Sequence, residues 1–185
     1  MSHPSILDKN QTALIVVDLQ EAFRSVINDF PMIVERTSIA VRGFHILGVP
    51  ILVTEQYPKG LGKTAEEIYY SLPDNQEFIE KTSFSSCGAN NFIEKLNEIG
   101  AKQIVLCGLE AHICVNQTAH DLLDAGFQVH LLSDCIASRN AHDKHTGINK
   151  MTANGVILSC VEMALFELMR DARHEKFKEI QSLVK

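Results

Sequence analysis

Hydrophobic and polar positions along the chain fall into two alternating rhythms. The first is a set of short, nearly continuous apolar runs. Thr12–Val17 (TALIVV) is rich in β-branched residues and ends at Asp18, and Pro50–Thr54 (PILVT) is a second run. Gln103–Cys107 is closed by Gly108, and Phe127–Leu132 is closed by Ser133 and Asp134. Val156–Leu158 is shorter, and Gln76–Lys81 is a weak candidate, apolar only at Phe78 and Ile79. Continuous apolar runs of this length suit strands covered on both faces.

The second rhythm is helical. Met32–Leu47 places Ile33, Arg36, Ala40, Phe44 and Leu47 at helical spacing; Asn90–Ile99 and Val115–Ala125 behave alike. Gly48, Gly100 and Gly126 follow these three segments, as a left-handed helix stop requires. Ser159–Arg170 and Glu175–Val184 read as closing helices. Strand–helix alternation over residues 1–185 predicts one domain, a parallel sheet covered on both sides by right-handed crossovers. Glu55–Asp74, with two prolines and two glycines, reads as a long excursion at a strand end.

Composition narrows the class. The chain is long enough to bury a substantial core, and 45% hydrophobic with 22% charged residues excludes a disordered chain. A net charge of −6 speaks against nucleic acid and anionic membranes as partners. Five cysteines without a Cys-x-x-Cys pair fit neither a disulfide framework nor a zinc cluster, and free thiols point to a reducing compartment. Met1–Gln11 lacks the apolar stretch of a secretory signal, and no run is long enough to span a bilayer, so a cytoplasmic location is expected.

In an open parallel sheet, ligands bind beyond the carboxyl ends of the strands. Asp18, Lys81, Asp134, and Cys114 just after Gly108 fall there. Taken singly, Asp18 reads as a loop carboxylate, Lys81 as a solvated charge and Cys114 as a small buried hydrophobe. Together they form a working set. A thiol attacks as thiolate, and a helix N-terminus and a nearby ammonium would lower its pKa. A carboxylate can take its proton, and backbone N–H groups in the turn from Glu110 to Cys114 can hold an oxyanion.

Three blocks, ALIVVDLQEAF (13–23), EKTSFSS (80–86) and LCGLEAHICV (106–115), together with SDCIASRN (133–140), resemble the isochorismatase-like cysteine hydrolases. EQYPKGLG (55–62) and the ending from Gly155 to Ile180 are similar to the isochorismatase-domain-containing subgroup. The resemblance implies a three-layer α/β/α sandwich, Rossmann-like, with a six-stranded parallel sheet of order 3-2-1-4-5-6. It implies an Asp18–Lys81–Cys114 triad, an oxyanion hole from the Ala111 and Cys114 amides, and a cis peptide at Glu110–Ala111. It implies a homo-oligomer acting on a small-molecule substrate by cleaving a C–N bond of an amide or related carbonyl compound through an acyl-enzyme.

Departures from the family pattern sharpen this. Gln56 and Pro58 stand where nicotinamidases carry a metal-binding Asp-x-His, so no metal and no other cofactor is expected. Ala111 replaces a frequent Thr, and Cys114 is absent from siderophore-pathway isochorismatases. Phe23, Gln56, Tyr57, Phe84, Glu110 and His112 are the candidate pocket residues. His142 and His145 lack a third ligand and suit a polar loop or helix face, while Cys107 and Cys160 suit the core. The competing expectation is a scaffold protein that keeps the fold without turnover.

Overall fold

The computed structural model describes residues 3–185. Six strands, β1 (Thr12–Val17), β2 (Ile51–Gln56), β3 (Phe78–Lys81), β4 (Gln103–Leu109), β5 (Gln128–Ala137) and β6 (Ile157–Ser159), form one sheet of order β3-β2-β1-β4-β5-β6. Every pairing is parallel. The helices are α1 (Phe30–Ile46), α2 (Pro58–Leu61), α3 (Glu66–Tyr69), α4 (Phe92–Glu98), α5 (Asn116–Asp124), α6 (Ala141–Ala153), α7 (Val161–Met169) and α8 (Phe177–Val184).

The central strands are apolar on both faces because both faces are covered. Leu14 and Val16 pack with Phe30, Ile33 and Phe44 of α1, Ile68 of α3, Leu165 of α7 and Ile180 of α8. Ala13, Ile15 and Val17 pack with Phe92 and Leu96 of α4, Ala119 and Leu122 of α5, and Met151 of α6. Gly48, Gly100 and Gly126 each adopt positive φ after α1, α4 and α5, as their positions predict.

The structure departs from the sequence expectation in three places. The weak third strand is real but shorter, and Glu55–Asp74 contains α2 and α3. α6 was not expected: its sequence carries few apolar residues, because only a narrow stripe around Gly147 and Met151 is buried. Ser133 and Asp134 do not end β5, which runs on to Ala137. The register between β4 and β5 shifts between Leu106 and Gly108, so the two polar residues sit where the pairing is interrupted. The Asp134 carboxylate then accepts from Arg36 at 2.7 Å and from the Val161 N–H at 3.1 Å.

Gly108 permits this interruption beside β1. Its φ is +117°, and a Cβ there would lie 2.0 Å from the Val17 carbonyl oxygen. Backbone cannot yield as a flexible side chain can. Gly108→Ala is expected to destabilise the fold by about 3–5 kcal/mol, read as a lowered urea midpoint.

His130 of β5 is buried, with Nε2 3.1 Å from Gln128 Oε1. Burial pushes its pKa down to about 4. The folded state therefore binds fewer protons than the unfolded chain, so the contribution is complete above about pH 6.5 and is lost as pH falls toward 4. We expect on the order of 3 kcal/mol of pH-dependent stability in that window, and a His130→Gln variant with a correspondingly flatter profile of Tm against pH.

Candidate active site

The strand order reverses between β1 and β4, and the residues that follow these two strands face each other across the resulting crevice. Asp18 leaves β1 at φ +50°, a left-handed conformation that Asp tolerates better than most residues. Its N–H donates to the Thr54 carbonyl at 3.2 Å, continuing the β1–β2 pairing. Its carboxylate is buried, accepting from Thr54 Oγ1 on Oδ1 at 2.7 Å and from Lys81 Nζ on Oδ2 at 2.6 Å.

Lys81 ends β3, opposite Gln56 of β2. Its side chain is 0% exposed and that of Asp18 1%, so this is a fully buried ion pair. Four oxygens surround the ammonium: Asp18 Oδ2, Gln56 Oε1 at 2.7 Å, and the carbonyls of Phe84 at 3.0 Å and Ser83 at 3.2 Å. The loop after β3 is tied to α5, where the Ser86 N–H donates to Thr118 Oγ1 at 2.8 Å.

Cys114 lies in the wide turn Ala111–Val115 between β4 and α5 and is 8% exposed. Its thiol lies within electrostatic reach of both the Asp18 carboxylate and the Lys81 ammonium. The pKa is pushed up to about 12, first by burial and then by the Asp18 charge; Lys81 acts in the opposite direction and is outweighed. The ammonium acts in the expected direction, but the net shift is upward. Desolvation disfavours the thiolate, and the carboxylate outweighs the ammonium.

The turn is held from β5 and α6. The cis peptide bond is Leu109–Glu110, one bond earlier than expected. The Glu110 carbonyl accepts from the Ile113 and Val115 N–H groups at 3.0 and 3.2 Å, which sets the turn's width. The Glu110 carboxylate accepts from the Arg139 N–H and Nε, both at 3.0 Å. His112 Nδ1 is 2.9 Å from Ser138 Oγ, and its Nε2 is 4.0 Å from Asp143 Oδ2. Gly147 packs against the turn, where a Cβ would come within 2.9 Å of the Ala111 carbonyl oxygen.

The structure thus brings Asp18, Lys81 and Cys114 together. Gln56 holds Lys81 and donates to the Thr82 carbonyl at 2.8 Å, so its side chain is committed there. Glu110 and His112 buttress the turn. Tyr57 and Phe84 stand half-exposed beyond β2 and β3, and Phe23 packs against the core on the α1 side. His142 and His145 lie on α6; Cys107 is buried, whereas Cys160 is only half-buried. A cleft of about 360 Å³ borders Tyr57, Lys59, Glu80 and Lys81 but neither Asp18 nor Cys114. Sequence reasoning missed Thr54, Ser138 and Arg139. Thr54, a hydroxyl at the end of an apolar run, carried the one usable signal.

Comparison with known proteins follows the same lines. Residues 12–163 match the family model described as the isochorismatase domain. The chain is 38% identical over 174 residues to isochorismatase domain-containing protein 1 of Salmo salar, covering 94% of this chain and 61% of that protein. It is 36% identical over 179 residues to isochorismatase domain-containing protein 2 of Danio rerio, covering 96% of this chain and 89% of that one. The chain thus spans about three-fifths of the first relative's length. The solved structure of the MAR1 ribonuclease from Caenorhabditis elegans superposes with a TM-score of 0.93 at 38% identity, covering 97% of this chain and 92% of that one.

Removing Lys81 would leave the Asp18 carboxylate buried and unpaired. Lys81→Met is expected to cost about 3–5 kcal/mol, measured by chemical denaturation at neutral pH.

Proposed function

The chain belongs to the isochorismatase family, and from that premise we propose that it is a cysteine hydrolase cleaving a C–N bond in a small amide or related carbonyl compound. The observation that carries this reading is Cys114 standing where the charges of Asp18 and Lys81 both act on its sulfur, with the carboxylate held by Lys81 and Thr54. A sulfur with so high a pKa does not attack as a standing thiolate. Asp18 removes its proton as the sulfur adds to the substrate carbonyl carbon. The tetrahedral oxyanion takes the Ala111 and Cys114 N–H groups, since those of Ile113 and Val115 are engaged by the Glu110 carbonyl.

Collapse of the intermediate breaks the C–N bond, and Asp18 returns the proton to the departing nitrogen. The resulting thioester is attacked by water, with Asp18 again taking the proton and then restoring the thiol. Lys81 stays buried throughout and holds Asp18 in place. No metal enters this scheme. The free thiols of all five cysteines support action in the cytosol. Leu158, Met163 and Phe166, half-exposed on β6 and α7, support self-association.

A second reading is favoured by the similarity to the MAR1 ribonuclease, namely cleavage of RNA. The charge of −6 and a neutral thiol as the buried nucleophile weigh against it. A screen of small amides, ureas, esters and RNA against wild type and Cys114→Ala separates the two. We expect amide turnover to fall on the order of 10⁴-fold in the variant. RNA cleavage lost in Cys114→Ala, without amide turnover, would replace the first reading; turnover unchanged in the variant would remove the mechanism.

Asp18→Asn provides a sharper check. It removes a charge that raises the thiol pKa, so the Cys114 titration should move below about 12. If Asp18 is the general base, kcat/KM nevertheless falls by about 10²–10⁴-fold. A titration followed at 240 nm, with kinetics on the same protein, reads both.

A further inference from the structure

Resting on the Asp18–Lys81–Cys114 site proposed above, we propose that Gln20 is a positioning residue: it holds the end of β2 so that Gln56 sets the Lys81 ammonium, and through it the Asp18 carboxylate. The Gln20 side chain hydrogen-bonds none of the three reacting residues among those described. Its influence runs through Gln56.

The path of the chain creates the need for it. β1 and β2 pair as far as Val17 and Thr54, and the Asp18 N–H makes the last bond of the ladder, to the Thr54 carbonyl. Asp18 then turns away at φ +50°, while β2 runs on to Gln56. The N–H and C=O of one strand residue point to the same edge, and the edge alternates along the chain. The Tyr57 N–H donates to the Lys81 carbonyl on the β3 side, so the backbone groups of Gln56 face the side that β1 has left. Left without partners there, they would cost free energy. Gln20 supplies both partners. Its Oε1 accepts from the Gln56 N–H at 2.8 Å, and its Nε2 donates to the Gln56 carbonyl at 3.0 Å. A primary amide offers the donor and acceptor of a peptide unit, so this side chain stands in for the missing strand. It is 0% exposed, and its second Nε2 hydrogen goes to the Gly62 carbonyl at 2.7 Å.

Gln56, fixed at its backbone, is fixed again at its side chain. Oε1 accepts from Lys81 Nζ at 2.7 Å, and Nε2 donates to the Thr82 carbonyl at 2.8 Å. Lys81 then reaches Asp18 at 2.6 Å, which closes a ring from Asp18 along the chain to Gln20 and back through Gln56 and Lys81. The Gly62 carbonyl ties the excursion after β2 into the same ring. That excursion is fastened beside Gln20, where the Ala65 N–H donates to the Leu19 carbonyl at 2.8 Å and the Glu21 N–H to the Lys63 carbonyl at 3.0 Å. Glutamate at position 20 would keep the acceptor, lose both donors and turn a charge toward two carbonyl oxygens.

Two readouts on the full chain test this without a known substrate: the NMR signal of the Lys81 ammonium, and alkylation of Cys114 by iodoacetamide followed by mass spectrometry. They are compared in wild type, Gln20→Met, Gln56→Met and the double variant. We expect both single variants to move the ammonium signal. Lys81 lowers the Cys114 pKa, so we also expect alkylation to slow about tenfold, the thiolate lost with one pKa unit. The double variant should be no slower than Gln56→Met, because two residues acting in series are not additive. Losses that multiply in the double variant overturn the proposal. So does a lowered urea midpoint with the ammonium signal unmoved and alkylation unchanged within twofold, which would make Gln20 a support of the fold alone. Should Gln20→Met fail to fold, Gln20→Glu, of the same length, is measured in its place, and an unmoved ammonium signal there is equally decisive against the proposal. A moved ammonium signal in a protein whose wild-type Cys114 neither alkylates nor turns over any amide sustains the positioning role and defeats the hydrolase reading instead.

Discussion

The buried ion pair between Asp18 and Lys81 is the constraint on which the rest of the molecule depends. Withdrawing two charges from water costs several kcal/mol per ion and is offset only by close geometry and full hydrogen bonding. Both are met here. Thr54 and Lys81 satisfy the carboxylate, and Gln56 with two backbone carbonyls satisfies the ammonium. Those partners come from β1, β2, β3 and the loop after β3, so the pair is stable only when three strands end in register. A slip of one residue in β3 would turn Lys81 to the opposite face.

The cysteine belongs to the other half of the sheet and is placed by different means. The β4–β5 register shift at Gly108 leads the chain into a wide turn, and contacts from β5 and α6 hold that turn against the Asp18 side. One half of the sheet supplies a preset charge pair, and the other supplies the sulfur. They meet only at the switch point, because only there do neighbouring strands send their connections to opposite faces. A thiol with a raised pKa is compatible with catalysis when a proton acceptor stands beside it, since proton transfer and attack can proceed together.

Much of this was legible along the chain. The central strands were, because a strand buried on both faces must be apolar at nearly every position and local composition reveals it; β3 and β6, only partly buried, gave weaker signals. The sheet order and the pairing of Asp18 with Lys81 were legible through family resemblance, since both residues lie within recognisable blocks. α6 was not, because a helix buried along a narrow stripe looks like a polar loop. Ser133 and Asp134 read as the end of a strand, because nothing in β5 itself announces that β4 changes register beside it.

The sequence by itself determined the alternation of elements, the layers they form and the three residues whose chemistry is complementary, since each is encoded in periodicity or in residue type at a strand end. Only the tertiary structure decided that burial and the Asp18 charge raise the Cys114 pKa, that Gln56 serves Lys81, and that Arg139 pairs with Glu110 at the start of the cysteine turn. Ionisation and side-chain orientation depend on burial and on partners tens of residues away, and no local pattern carries the sum of those long-range contacts.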